Sequence, residues 1–200
     1  MAESEEPATI MPKVITFLSS LLQRVTESND LIVNPCSPTT TSVFHGLIRP
    51  PISIQSYLER IFKYANCSPS CFVVAYVYLD RFAQRHPCFP LDSFNVHRLL
   101  IASILVSVKF MDDIYYNNAY FAKVGGISTL EMNVLELDFL FCLGFQLNVT
   151  ATTFHTYCSY LQRETLIQSN LRSLESPVRP LKDYSSFNED DPTHQRRLAV

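Results

Sequence analysis

Two charged residues in this sequence stand at the ends of apolar runs, and chemistry is sought there first. Lys109 follows Leu99–Val108, a run in which every residue is apolar or serine. Glu136 stands between Val134-Leu135 and Leu137. A charge so placed either reaches solvent along an apolar stem or meets a specific polar partner; at a helix edge the simpler reading is a satisfied or solvent-reaching charge. Asp80 follows the apolar run Phe72–Leu79 in the same way. A carboxylate taken out of water needs a partner, so a structural ion pair is expected there. Asp112-Asp113 has the look of a carboxylate pair for magnesium. Adjacent helical residues point about 100° apart, however, and a turn at a helix end fits the pair better.

The remaining reactive residue types form no site. Cysteines stand at 36, 67, 71, 88, 142 and 158. Cys67 and Cys71 are four apart rather than three, and no second pair follows, so reduced core thiols are expected rather than a metal centre. His45, His86, His97, His155 and His194 make no pattern with a cysteine or serine that suggests nucleophilic catalysis. Neither GxGxxG nor GxxxxGK[ST] is present. No catalytic residue, metal, cofactor or small-molecule substrate is expected. The net charge of −3, from 16 basic and 19 acidic residues, argues against a nucleic-acid partner. The ten-residue run Leu99–Val108 is half of what a bilayer needs, and the N-terminal residues are acidic rather than basic-then-apolar, so the chain reads as intracellular and soluble, with no membrane partner.

Stepping from these residues to what must position them, the spacing of apolar positions is helical almost throughout, and glycine is scarce, with four in 200 residues. A first helix is expected over about 11–28, followed by a loop rich in Pro, Ser and Thr to Pro51. That loop holds the apolar island Val43–Ile48, and residues 1–51 read as a preface to the compact domain, since Pro50-Pro51 forbids helix. Five helices follow, over about 52–65, 69–85, 92–112, 117–123 and 129–143. Their punctuation is Ser68-Pro69 (hydroxyl cap, proline in the first turn), Asp92, Gly125-Gly126, the capping box Ser128-x-x-Glu131, and Gly144. Phe145–Asn148 reads as an extended linker. Thr150 opens a last amphipathic helix over 150–166, with Phe154, Tyr157, Cys158 and Leu161 in line, and 167–200 is expected to be a disordered tail. The third helix of the five is the informative one: apolar on all faces, it must be wrapped by its neighbours. Charged residues are only 18 %, below the usual quarter, which suggests a greasy exposed surface.

Four segments then carry a resemblance. Tyr76–Phe82 resembles the "YLDRF" signature of the second cyclin-box helix. Leu99–Ser103 with Val106–Phe110 is similar to the third-helix element. Ile127–Glu136 and Phe139–Leu147 resemble the entry and ending of the fifth. The match runs over about 52–162, and Tyr57–Tyr64 and Tyr115–Tyr120 are most like the plant P-type (U-type) cyclins, relatives of the yeast phosphate-response cyclin. The resemblance implies an all-α fold: a single five-helix box over 52–149, with an extra N-terminal helix and an incomplete second repeat. It implies a non-catalytic regulatory subunit whose partner is a cyclin-dependent kinase. Lys109 and Glu136 match the pair that holds a kinase backbone beside its mobile regulatory helix; Phe110, Leu140, Phe145 and Leu147 match the apolar contacts of the same face. Asp80 matches an aspartate paired with an arginine of the first box helix. Ile54–Leu58 stands where the "MRAIL" element with that arginine belongs, leaving Arg49 or Arg60 as its replacement and substrate docking through RxL motifs doubtful. A cyclin-fold scaffold or transcription-associated module without a kinase is the alternative.

Overall fold

The computed structural model describes residues 13–31 and 42–174, with side chains described to 163. Seven helices occur among them and no strand: α1 (Lys13–Leu31), α2 (Ile54–Ala65), α3 (Pro69–Arg85), α4 (Val96–Met111), α5 (Asn118–Gly125), α6 (Thr129–Leu143) and α7 (Ala151–Leu174). The centre is α4, whose residues from Leu99 to Val108 are all buried. It packs against α2, α3, α5 and α6. Its two serines satisfy themselves without water: Ser103 Oγ donates to the Leu100 carbonyl, and Ser107 Oγ to the carbonyls of Ile104 and, across in α3, Cys71. Small hydroxyls that bond back to their own helix let it stay apolar all round without leaving a buried donor unpaired.

The helix ends follow local chemistry. The hydroxyl of Ser53, the amide oxygen of Asn117 and the hydroxyl of Ser128 accept from the backbone N–H three residues on. Ser128 thus makes half of the expected capping box; Glu131 turns instead to Arg98 of α4. Ser68 sits before Pro69 but makes no cap bond within its own helix. Asp92, expected as the cap of the buried helix, lies three residues earlier than the true cap, Asn95. It closes the preceding turn by accepting from the N–H groups of Phe94 and Asn95.

The preface to the box is not separate from it. α1 places Ile15, Leu18 and Leu22 in the same core as the five box helices, and the Asn29 amide donates to the Leu91 carbonyl. Phe44 of the apolar island is also buried, edge-on to Phe82 and Phe139. The compact unit therefore includes residues ahead of Pro51. At the other end, α7 closes a small second cluster of Leu21, Val73 and Leu161, bordered by Phe154, Tyr157 and Cys158, the stripe read from the sequence. The helix continues to Leu174, past the expected start of the tail at 167; the rest of that tail lies outside the described residues. Cys67 and Cys71 are buried free thiols, and burial raises their pKa to about 12 and about 11, so both stay protonated and inert.

Candidate partner-docking face

Lys109 lies in the last turn of α4 and Glu136 in the middle of α6. Lys109 Nζ donates to Glu136 Oε1 at 2.6 Å. The pair is neither sealed nor free, with side chains 29 % and 16 % exposed. The other Glu136 oxygen accepts from the Asn118 amide at 2.6 Å, and that amide also reaches Asn133 at 2.8 Å. Three helices thus fix one carboxylate, while the ammonium, with three N–H donors, keeps capacity for an outside acceptor.

α6 carries two apolar stripes. Met132, Leu135, Phe139 and Leu143 repeat at i, i+3, i+7 and i+11 and are buried. Leu130, Val134, Leu137 and Phe141 repeat at i, i+4, i+7 and i+11 on the opposite side and are exposed, Leu130 to 74 % and Phe141 to 63 %. At 3.6 residues per turn, Asn133, Glu136 and Leu140 fall on the flank between the stripes. Glu136 lies at the inner edge of that flank, next to the buried stripe, with Leu140 and Asn133 between it and the outer stripe. Phe145 continues that stripe past the helix end, edge-on to Phe141 with ring centroids 5.3 Å apart. Phe110, Met111, Ile114, Tyr115 and Tyr116 add exposed apolar surface at the end of α4. Contiguous apolar surface of this kind on a folded domain marks an interaction site.

A family model described as cyclin matches residues 12–147. The chain belongs to the cyclin family. This cyclin is 62 % identical over 198 residues to Cyclin-U4-1 of Arabidopsis thaliana, covering 98 % of this chain and 96 % of that protein. It is 60 % identical over 163 residues to rice Cyclin-P4-1, covering 80 % and 77 %. These are plant P/U-type cyclins, and the cyclin role is regulatory rather than catalytic. The matched segment begins at the start of α1, in agreement with the shared core.

Of the other residues carried over from the resemblance, Phe110 and Phe145 are exposed, whereas Leu140 and Leu147 are half-buried and pack against the core. Phe145 holds an unusual backbone. Gly144 (φ 58°) and Phe145 (φ 56°) both lie in the left-handed region, which costs a non-glycine residue about 1–2 kcal/mol. The conformation persists because α3 grips the segment around it. The Tyr78 hydroxyl donates to the Leu147 carbonyl, Arg81 to the carbonyls of Gln146 and Asn148, and Arg85 to the Leu143 carbonyl and the Gln146 amide oxygen. Strain held by many bonds around it is a device for aiming a side chain. Tyr78, Arg81 and Arg85 are the positioning residues that sequence reasoning missed; "YLDRF" flags two of them, but nothing in it says that their partners are carbonyls.

One expectation needs correction. Asp80 makes no ion pair with Arg49 or Arg60. Its carboxylate accepts from Gln84 at 2.8 Å and, closely, from the Tyr157 hydroxyl of α7. Burial and the adjoining carboxylate push the Tyr157 hydroxyl up to about 12, so it remains a donor. Arg60 is turned elsewhere, 5.1 Å over the Tyr57 ring. α7 thus supplies the partner sought in the first box helix. Asp112 and Asp113 stand at the end of α4, where Asp112 is the C-cap and the chain bends, as the sequence reading has it. Asp112 accepts from the Ser68 N–H and hydroxyl, capping α3 from outside, while Asp113 is exposed. No cluster of three or more metal-ligating side chains occurs among the described residues, and no described helix is long and apolar enough to cross a membrane.

Proposed function

We infer that this cyclin binds and activates a cyclin-dependent kinase through the face that Lys109–Glu136 and the outer stripe of α6 form together. The observation that carries the reading is that pair: partly exposed, held by three helices and set beside the exposed apolar side chains of α6 and of the end of α4. Lys109 retains donors for a backbone carbonyl of the kinase, and the Glu136 oxygens retain lone pairs for a backbone N–H. Charge-assisted bonds of this kind contribute about 1.5–3 kcal/mol each. Phe110, Leu137, Phe141 and Phe145 supply the apolar area. A kinase is active only when its strand lysine and regulatory-helix glutamate are paired. A preset face that fits that arrangement better than the inactive one shifts the population toward it. The cyclin works inside the cell, in the nucleus or cytoplasm, in division control or in nutrient and phosphate signalling.

The test is capture of a kinase from extract by the tagged full chain, with kinase activity measured on the eluate. Lys109→Ala and Glu136→Ala are expected to abolish capture and leave the thermal melt within a few degrees of wild type. Capture by both variants, or a melt collapse that tracks the loss, refutes the assignment.

A further inference from the structure

A concavity of about 520 Å³ opens where α3 meets the segment after α6, walled by Arg81, Gln84 and Arg85 on one side and by Phe145–Asn148 on the other. Both arginines spend donors on that segment. Arg81 bonds the Gln146 carbonyl at 2.6 Å and the Asn148 carbonyl at 3.0 Å. Arg85 bonds the Leu143 carbonyl at 2.5 Å and the Gln146 amide oxygen at 2.7 Å. A guanidinium carries five N–H groups in a rigid fork. The grip uses two on each arginine, so three of the five remain on each.

All of these acceptors are neutral, and a neutral oxygen takes the bond without cancelling the charge behind it. No ion pair among the described residues engages either arginine. No acidic residue lines the concavity. Asp80, the one carboxylate of α3, accepts instead from Gln84 and the Tyr157 hydroxyl. Like charges one helical turn apart repel, so α3 holds two uncompensated cations at i and i+4 against that cost, lining one open space. The carbonyls fix both forks in place. Little side-chain freedom is then left to lose when an anion binds them.

We propose that this concavity binds a phosphoserine or phosphothreonine of the protein that docks on the outer stripe of α6, with the phosphate bridging Arg81 and Arg85. Charge and shape select that group. A phosphate monoester brings nearly two negative charges and three acceptor oxygens, enough to engage both arginines. A carboxylate brings one charge and matches one fork. The walls favour a phosphate carried on a chain over a free ion, because Phe145 and Leu147 add apolar surface that only neighbouring side chains of a peptide can cover. Phe145 also belongs to the outer stripe, where its ring meets Phe141, so a partner closing over the stripe passes the two arginines. The identity of that partner rests on the docking reading of the face; the site adds that docking is strengthened when the partner is phosphorylated on the segment facing α3.

Two measurements on the full chain test the site and keep it apart from the docking reading. In the first, a fluorescein-labelled nonapeptide with one phosphoserine between leucines is titrated by anisotropy, beside the serine and glutamate forms of the same peptide. The phosphopeptide is expected to bind saturably and at least tenfold tighter than either other form. Gln84→Glu and Asn148→Asp each place a carboxylate in the lining, keep both arginines and alter exposed side chains, so both variants fold. Each is expected to weaken phosphopeptide binding at least fivefold. Equal affinity for the serine or glutamate form, no binding of the phosphopeptide, or unchanged affinity in both variants overturns the proposal. Inorganic phosphate competing as well as the unlabelled phosphopeptide makes the site one for a free anion and overturns it too. In the second, kinase capture from extract is compared before and after phosphatase treatment. Wild type is expected to capture at least fivefold less after treatment, and Gln84→Glu to show no such drop. Undiminished capture by wild type after treatment overturns the proposal. Failure of wild type to capture any kinase while the phosphopeptide still binds refutes the docking reading and supports the phosphate site.

Discussion

α4 and α6 are both apolar around most of their circumference, yet the fold uses them oppositely. α4 is enclosed, and its only polar groups between Leu99 and Val108 are two serines bonded to backbone carbonyls. α6 is covered on one side only; between its stripes stand Asn133 and Glu136, both engaged by Asn118. The contrast teaches that an all-round apolar helix does not by itself mean a buried one. What separates the two is the polar residues: α4 admits only hydroxyls that vanish into its own backbone, whereas α6 carries carboxylates and amides that need water or a partner between its two stripes.

The largest expected effect tests the enclosed side. Leu100→Ala should destabilise the fold by about 2–5 kcal/mol, read in a denaturant melt, because the side chain is wholly buried and the cavity cannot collapse. A cost near zero there would mean that α4 is not the centre of the core. Next comes the junction where the outer stripe leaves its helix. A Cβ at Gly144 would lie 2.6 Å from Arg85 Nη1 on a left-handed backbone. Gly144→Ala should therefore cost about 1–3 kcal/mol and weaken kinase capture as well, since it disturbs the Arg85 grip. Loss of stability without loss of capture would separate the grip from the docking face. On the outer stripe itself, Leu137→Ser with Phe141→Ser should shift stability by no more than about 0.5–1 kcal/mol but lower kinase capture at least tenfold. If the melt falls as far as in Leu100→Ala, the two stripes are not different in kind.

The smallest effect probes the first turn of α4. Burial, with Arg49 and Arg60 nearby, lowers the His97 pKa in the folded chain, so the unfolded chain takes up this proton more readily. His97 therefore favours folding above its ordinary value of about 6.5, and that contribution fades as the pH falls below it. His97→Gln should flatten the stability profile between about pH 5 and 7; an unchanged slope would show that this turn is solvated.

Much of this arrangement is legible in the sequence, for physical reasons that also mark where legibility ends. The enclosure of α4 follows from an unbroken apolar run, and Ser53, Asn117 and Ser128 act through purely local bonds. Lys109 and Glu136 stand out as charges beside apolar runs, although that they meet follows from the resemblance and not from spacing. The outer stripe of α6 was hidden because two stripes on opposite sides cancel any periodic signal; only counting Leu130, Val134, Leu137 and Phe141 as a second phase recovers it. The grip of Tyr78, Arg81 and Arg85 was invisible for another reason: its acceptors are carbonyls, which every residue has. Asp80 was misassigned because its partner, Tyr157, stands on a helix that looked like an appendage, 77 residues away. The place of α1 in the core was missed because a long Pro-rich loop intervenes, and loop length says little about where its ends are packed.

The bonds from α3 to the segment after α6 carry one more consequence. With five side chain–backbone and side chain–side chain bonds holding residues 143–148, Phe145 has little torsional freedom left to surrender when another surface closes over it. The entropy lost when a partner closes over this face then falls mostly on that partner, which must settle onto a form already cast. Loosening the mould by a single arginine should show first as faster dissociation of the complex, well before the domain itself begins to melt.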